Sequence, residues 1–94
     1  ANMILYDKGD PVSALETLTP WVKHIHIKDA RRSPVAGQWG EEVPWGDGDF
    51  DNYEFLKTLN RIGYQGALAI EREAGSKRLE DIQHAALSLS QFSF

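Results

Sequence analysis

The sequence lacks cysteine, a basic tract and any long apolar run. Without cysteine, its 94 residues can form neither disulfides nor thiolate-rich zinc sites. No apolar stretch approaches the roughly 18 residues that a membrane-spanning helix needs. No secretory signal is recognisable at its start either, so we expect a soluble cytoplasmic protein with no membrane partner.

The charge of the chain narrows the range of its partners. Fourteen acidic residues against ten basic ones give a formal net charge of −4. A nucleic-acid or anionic-lipid surface needs clustered positive charge, so neither partner is expected. With 41% hydrophobic residues, residues 1–94 are interpreted as a single, partial domain. Because the chain begins with Ala1 rather than methionine, we expect a processed chain or a piece of a longer protein.

Two apolar runs end in residue types that bind metals. Residues 21–27 are typical of a buried strand, and His26 lies near its end. Residues 67–70 form a second such run, which Glu71 closes. In parallel α/β barrels the chemistry lies at the C-terminal ends of the strands. The pattern therefore predicts two neighbouring barrel strands with a helix between them.

The first helix is predicted to begin at Pro11. Asp10 supplies a capping carboxylate, and proline is favoured at the first helical position. The pair Thr19-Pro20 ends the helix. Its apolar residues recur on one face: Val12, Leu15 and Leu18.

The second helix has the strongest signals in the chain. Asp51 caps it, and Glu54 stands at the spacing of a capping box. Phe50 and Phe55 fit a hydrophobic staple at the same end, and Gly63 closes the helix. Its predicted buried face consists of Phe55, Leu56, Leu59 and Ile62.

The segment between the first strand and this helix, residues 29–49, is rich in glycine and proline and is predicted to be a loop. At about 20 residues it exceeds the usual connection, and loops of that length are commonly functional. A last helix is predicted after a cap at Ser76. The predicted order is helix, strand, long loop, helix, strand, helix. The apolar positions of the last helix are Leu79, Ile82, Ala85, Ala86 and Leu89.

Two parallel strands joined by one helix leave two open sheet edges. The backbone groups at those edges need partners, and parallel sheets are normally covered on both faces. We therefore expect the chain to need the remainder of a barrel, or to form a homo-oligomer.

Four runs of the sequence together resemble a known family. The resemblance is to the end of a xylose-isomerase-like TIM barrel, and it covers nearly the whole chain, from about residue 2 to residue 86. That superfamily includes sugar and sugar-phosphate isomerases and epimerases, inosose dehydratases and apurinic endonucleases. The resemblance implies the C-terminal quarter of a (β/α)8 barrel. The runs are GDPV at 9–12, HIHIKD at 24–29, WGEEVPWGDGDFD at 39–51 and LNRIGYQGALAIEREAG at 59–75.

The resemblance also implies a metal site. Members of the superfamily hold a divalent metal with two glutamates, an aspartate and a histidine. His26 and Glu71 match two of these ligands, and the other two would lie upstream, outside this chain. Imidazole with carboxylates suits manganese, zinc, cobalt or magnesium, with positions left open for substrate oxygens.

The implied reaction is proton transfer next to the carbonyl of a small sugar or sugar phosphate, as in isomerases and epimerases. A metal polarises the carbonyl while a carboxylate moves the proton, so Glu71 would be both ligand and base. Arg32 stands at the spacing of a substrate-contacting arginine in epimerase members. Either Lys28 or Arg32 would hold a substrate oxygen or phosphate, and Trp39 would line the substrate pocket.

Other interpretations stay open at this stage. The chain is alternatively a non-catalytic barrel fragment, or a self-assembling module without a metal site. DNA cleavage is not expected, because Gly40 and Glu42 replace the Asp-x-His pair of the endonucleases. Lys28 and Asp29 equally fit solvated residues at a strand exit. Side chains interpreted as packing, surface, turn or loop groups are His24, Arg31, Glu41, Glu42, Asp47, Asp49, Glu73 and His84.

Overall fold

The computed structural model describes residues 1–6 and 8–92 and has an α/β architecture. Asp7, Ser93 and Phe94 of the predicted domain lie outside the described residues. Within the described ranges, no helix is both long and apolar enough to cross a lipid bilayer. The helices are α1 (Asn2–Leu5), α2 (Pro11–Leu18), α3 (Asn52–Arg61) and α4 (Arg78–Ser90), and the strands are β1 (Ile25–Ile27), β2 (Asp29–Arg31), β3 (Glu41–Val43) and β4 (Leu68–Ile70).

The parallel strand pair predicted from the two apolar runs is confirmed. β1 and β4 are parallel neighbours with His26 opposite Ala69, and α3 lies in the connection between them. Both strands are shorter than predicted. The predicted first strand loses its start because Thr19–Trp21 form a 3-10 turn around Pro20.

The segment 29–49, predicted to be a loop, contains a β-hairpin. β2 and β3 pair antiparallel, with Asp29 opposite Val43 and Arg31 opposite Glu41. The loop prediction was wrong because surrounding glycines and prolines mask two short strands. Ala30 and Val43 in these strands are buried.

The predicted starts of two helices are confirmed. The Asp10 carboxylate accepts a hydrogen bond of 2.9 Å from the N–H of the third residue of α2. The Asp51 carboxylate accepts one of 3.0 Å from the N–H of Glu54 at the start of α3. The ring centroids of Phe50 and Phe55 are 5.0 Å apart, as a hydrophobic staple requires. These caps fix where α2 and α3 begin.

Other details of the predicted helices are wrong. Leu18 is exposed, because α2 ends there and the chain continues into the 3-10 turn. Ser76 does not cap α4, which begins after Lys77 without a side-chain cap. In α4, Leu79 is exposed while Ala85 is buried. Helical spacing of apolar residues therefore overestimated the buried faces.

The two faces of β1 have opposite character. Ile25 and Ile27 are buried, whereas His24 and His26 are exposed on the other face, as alternation along a strand requires. The buried side packs against the helices, so the polar strand-end groups lie on the face away from the core. The core cluster consists of Ile4, Val12, Leu15, Ile25, Ile27, Ala30, Trp45, Phe50, Phe55, Leu56, Leu59 and Ala85.

Candidate functional site

The two predicted metal ligands, His26 and Glu71, are in direct contact. The imidazole Nδ1 of His26 meets the Oε1 atom of Glu71. The register explains the contact: His26 lies opposite Ala69, and Glu71 follows two residues later on the same face. The N–H of Glu71 also donates to the carbonyl of Ile27 at 2.9 Å, which continues the ladder past the end of β4.

Lys28 joins this pair from the end of β1. Its Nζ lies 3.5 Å from Oε2 of Glu71 and 3.5 Å from Oε2 of Glu73. The Lys28 side chain is only 13% exposed, so its interpretation as a solvated strand-exit residue was wrong. Its long aliphatic stem is largely covered while its ammonium faces the two carboxylates.

The electrostatics of the site hold Glu71 in its ionised form. The hydrogen bond with His26 is the largest cause, a hydrogen bond with Glu73 is the next, and the charge of Lys28 acts in the same direction. Together they lower the pKa of Glu71 from 4.5 to about 2. Glu71 is therefore an anion throughout the neutral pH range, as a metal-binding carboxylate must be.

The pair opens onto a cavity of about 270 Å³. His26, Lys28 and Glu71 form its polar side, and residues 1–3 with Pro11 form the rest of its lining. A cavity with a few convergent polar groups at a strand end is a typical place for a small ligand.

Arg32 and Trp39, predicted to bind substrate, lie together along a second cavity of about 390 Å³. The Arg32 backbone N–H donates to Asp49 at 2.8 Å, and its guanidinium Nη2 donates to the carbonyl of Gly9 at 3.1 Å. Trp39 is exposed and meets the Tyr6 ring edge-on, with centroids 5.2 Å apart. The structure thus groups Arg32 with Trp39, and groups Lys28 with His26 and Glu71.

Asp29 has a role that the sequence did not reveal. It is 1% exposed, so its interpretation as a solvated residue was wrong. Its carboxylate accepts hydrogen bonds from the N–H groups of Ala30 at 2.8 Å, Gly46 at 2.9 Å and Gly48 at 3.3 Å. An added Cβ at Gly48 would lie 2.1 Å from Oδ1 of Asp29, so only glycine fits there. Asp29, the residue directly after Lys28, therefore fixes the turn that follows the hairpin.

Glu42 was interpreted as a solvated loop residue, and this was also wrong. Its side chain is 7% exposed and forms an ion pair with Arg72, the residue after Glu71. A buried acidic residue between exposed Glu41 and buried Val43 leaves no recognisable signal in the sequence, because its partner lies 30 residues away.

The donor atoms fit part of a divalent metal site. His26 and Glu71 supply an imidazole nitrogen and a carboxylate, the donor types that manganese, zinc, cobalt and magnesium accept. Across residues 1–6 and 8–92, no group of three or more histidine, aspartate or glutamate side chains is placed to hold an ion. The described chain thus offers two candidate donors, and a complete metal site would need further ones.

Comparison with known proteins gives a consistent result. A family model described as xylose isomerase-like TIM barrel matches residues 1–92. The chain superposes with a TM-score of 0.84 on the crystal structure of a xylose isomerase domain protein from Planctomyces limnophilus, at 42% identity over 96% of this chain and 32% of that one.

Curated relatives include proteins named inosose dehydratase. One from Mesomycoplasma hyopneumoniae (strain 7448) is 28% identical, and one from Clostridium tetani is 29% identical. Each match covers 87% of this chain and 34% of the relative. The chain therefore spans about a third of the length of these relatives.

Proposed function

The chain belongs to the xylose isomerase-like TIM barrel family, and we propose that it forms the C-terminal part of the barrel of a metal-dependent, sugar-modifying enzyme. Its site would hold a divalent ion with His26 and Glu71, and the remaining ligands would come from the rest of the barrel. The proposed substrate is a small sugar or sugar phosphate. We also propose a cytoplasmic location without nucleic-acid or membrane partners.

The observation that carries this proposal is the contact between His26 and Glu71. An imidazole and a carboxylate from two parallel neighbours converge at the strand ends, where barrel enzymes place their chemistry. Both groups lie on the face away from the core, which in a closed barrel is the interior. This placement supports a ligand role better than a surface role.

The proposed roles of the residues follow from their contacts. When bound, a divalent metal supplies Lewis acidity at the substrate carbonyl. Glu71 is proposed to take the proton from the adjacent carbon. A carboxylate with a pKa of about 2 is a weak base, and the hydrogen bond from His26 is the main cause of that value. Loss of that hydrogen bond would raise the pKa of Glu71 and make it a stronger base.

The other candidate residues are proposed to hold the substrate. Lys28, already beside Glu71, would donate to a substrate oxygen near the reacting carbon. Arg32 and Trp39 line a second cavity, and are proposed to bind the far end of the substrate. A guanidinium suits a phosphate, and an indole face suits the carbon-bound hydrogens of a sugar.

Two reaction types use this proton transfer. Isomerisation or epimerisation returns a proton to carbon, whereas dehydration loses a hydroxyl group after the same first step. The relatives named inosose dehydratase favour dehydration as a second candidate. The other alternative, a non-catalytic module, is not favoured, because these relatives carry enzyme names.

The test uses the complete barrel that contains this chain, incubated with candidate ketoses in D₂O. Deuterium incorporation next to the carbonyl, lost in Glu71→Gln and kept in Glu80→Gln, which changes an exposed residue of α4, is the expected result. Loss of the substrate hydroxyl would identify a dehydratase, and its retention an isomerase or epimerase. Deuterium incorporation that persists in Glu71→Gln would overturn the proposed role of Glu71.

A further inference from the structure

Glu42 forms a cluster with Asp81 and with Arg72, the residue that follows Glu71, and this cluster joins three elements. The Arg72 guanidinium pairs through Nη1 with the Glu42 carboxylate and through Nε with Asp81 at 2.8 Å. The side chains of Glu42, Arg72 and Asp81 are 7%, 9% and 19% exposed. The cluster connects β3, the segment after β4, and the first turn of α4.

The Glu42 carboxylate also binds the backbone that follows Glu71. Its Oε1 accepts from the N–H of Glu73 at 2.8 Å, and its Oε2 accepts from the N–H of Ala74 at 2.7 Å. The Arg72 Nη1 donates in addition to the backbone carbonyl of Glu42 at 3.3 Å. One buried carboxylate thus fixes residues 72–74 through a side chain and two amides.

We propose that Glu42, acting through Arg72 and these amides, positions the Glu71 carboxylate against His26. Glu42 is a positioning residue in this proposal and touches neither partner. The chemical task of Glu71 rests on the proposed function, but the positioning itself does not.

The argument comes from where Glu71 lies along the chain. Its N–H forms the bond to Ile27 at the end of the β1–β4 ladder, and the following residues leave the sheet. A side chain at the end of a strand would move with the backbone that follows it. Because Glu42 binds the three residues immediately after Glu71, that backbone is fixed on both sides of Glu71.

A purely structural role for the cluster is the competing explanation, since Asp81 ties it to α4 as well. A role limited to holding α4 predicts a change in thermal stability and no change at His26. Positioning of Glu71 predicts a change at His26, because the Nδ1 atom of that ring is the partner of Glu71.

The test measures the imidazole ¹⁵N chemical shifts of His26 in the metal-free complete barrel that contains this chain, at neutral pH. Glu42→Gln removes the charge and keeps the shape, whereas Arg72→Lys keeps the charge and loses the planar fork. Glu41→Gln, on the same strand and exposed, is the matched control. We expect both cluster variants to shift His26 Nδ1 towards its value in Glu71→Gln, and the control to leave it unchanged.

Unaltered His26 shifts in both folded cluster variants would overturn the proposal. If the variants do not fold, hydrogen exchange of the backbone amides in the unsubstituted protein tests the proposal instead. Protected Glu73 and Ala74 amides are expected, and fast exchange at both would overturn the proposal too.

A manganese titration separates this proposal from the proposed function. Glu42→Gln is expected to weaken manganese binding about tenfold, as changes behind metal ligands commonly do. If the unsubstituted complete barrel binds no manganese, the proposed metal site fails, and the His26 shifts still decide whether Glu42 positions Glu71.

Discussion

His26 and Glu71 lie 45 residues apart in the sequence and touch through Nδ1 and Oε1 across two parallel strands. The contact is a consequence of register, since the pairing of His26 with Ala69 brings the next residue on that face to the imidazole. A helix of ten residues, α3, lies in the connection that makes this parallel pairing possible. The candidate site is therefore formed by the pairing of β1 with β4, and not by residues that are close in the sequence.

The first prediction concerns the acid titration of Glu71. Its pKa is lowered to about 2, so the stabilisation it provides is complete above pH 4.5 and is lost as the pH falls through about 2. His26→Ala should move the pKa of Glu71 back towards 4.5, because it removes the largest cause of the shift. Carboxyl ¹³C NMR titration measures this directly. An unmoved midpoint in His26→Ala would refute the assigned cause.

The second prediction concerns the buried carboxylate of Asp29. Three backbone N–H groups donate to the Asp29 carboxylate. Asp29→Asn replaces one of its oxygens by an NH₂ group, which is a donor and would face these donors without an acceptor. A buried group left without its partner costs about 1–3 kcal/mol, and we expect a loss of that size in the free energy of unfolding. Urea unfolding measures it, with exposed Asp47→Asn as the control on the same turn. Equal stability of the two variants would contradict the role given to Asp29.

The sequence predicted the two strand ends because the signals there are local. Apolar runs that end at Ile27 and at Glu71 mark two strands with polar groups near their ends, although β4 is only partly buried. The roles of Asp29 and Glu42 could not be predicted in the same way. Their carboxylates bind backbone amides 17 to 32 residues away, and an acidic residue gives no sign of such partners until the turns are folded.

The hairpin of β2 and β3 was missed for a related reason. Its strands have three residues each, too few for alternation to emerge from a stretch rich in glycine and proline. The caps of α2 and α3 were predicted correctly because a capping carboxylate and the backbone N–H that donates to it lie within one turn.

The third prediction concerns the cap of α3, the helix that connects the two site strands. Asp51→Ala removes the hydrogen bond to the N–H of Glu54 and should cost about 1 kcal/mol of unfolding free energy. Asp51→Ser should recover most of that loss, because serine also caps helices. Urea unfolding of both variants measures the difference. If the alanine and serine variants were equally stable, the cap would have no role in stability.

The fourth prediction concerns Gly48. Gly48→Ala introduces a Cβ 2.1 Å from the Asp29 carboxylate and 2.3 Å from the carbonyl of Ala30. Both neighbours are buried, so the turn must move, and we expect a loss of about 1–3 kcal/mol, the usual cost of overpacking. Thermal unfolding measures the loss. A melting temperature equal to that of the unsubstituted protein would show that the turn accommodates the methyl group.

The metal site is tested most directly by calorimetric titration of manganese into the metal-stripped complete barrel that contains this chain. The site described above predicts one ion per barrel, bound at micromolar concentration or tighter. That binding should be lost in His26→Ala and in Glu71→Gln, and kept in His84→Ala, which changes an exposed histidine of α4. Binding that survives in both site variants, or no binding by the unsubstituted protein, would contradict the assignment of His26 and Glu71 as metal ligands.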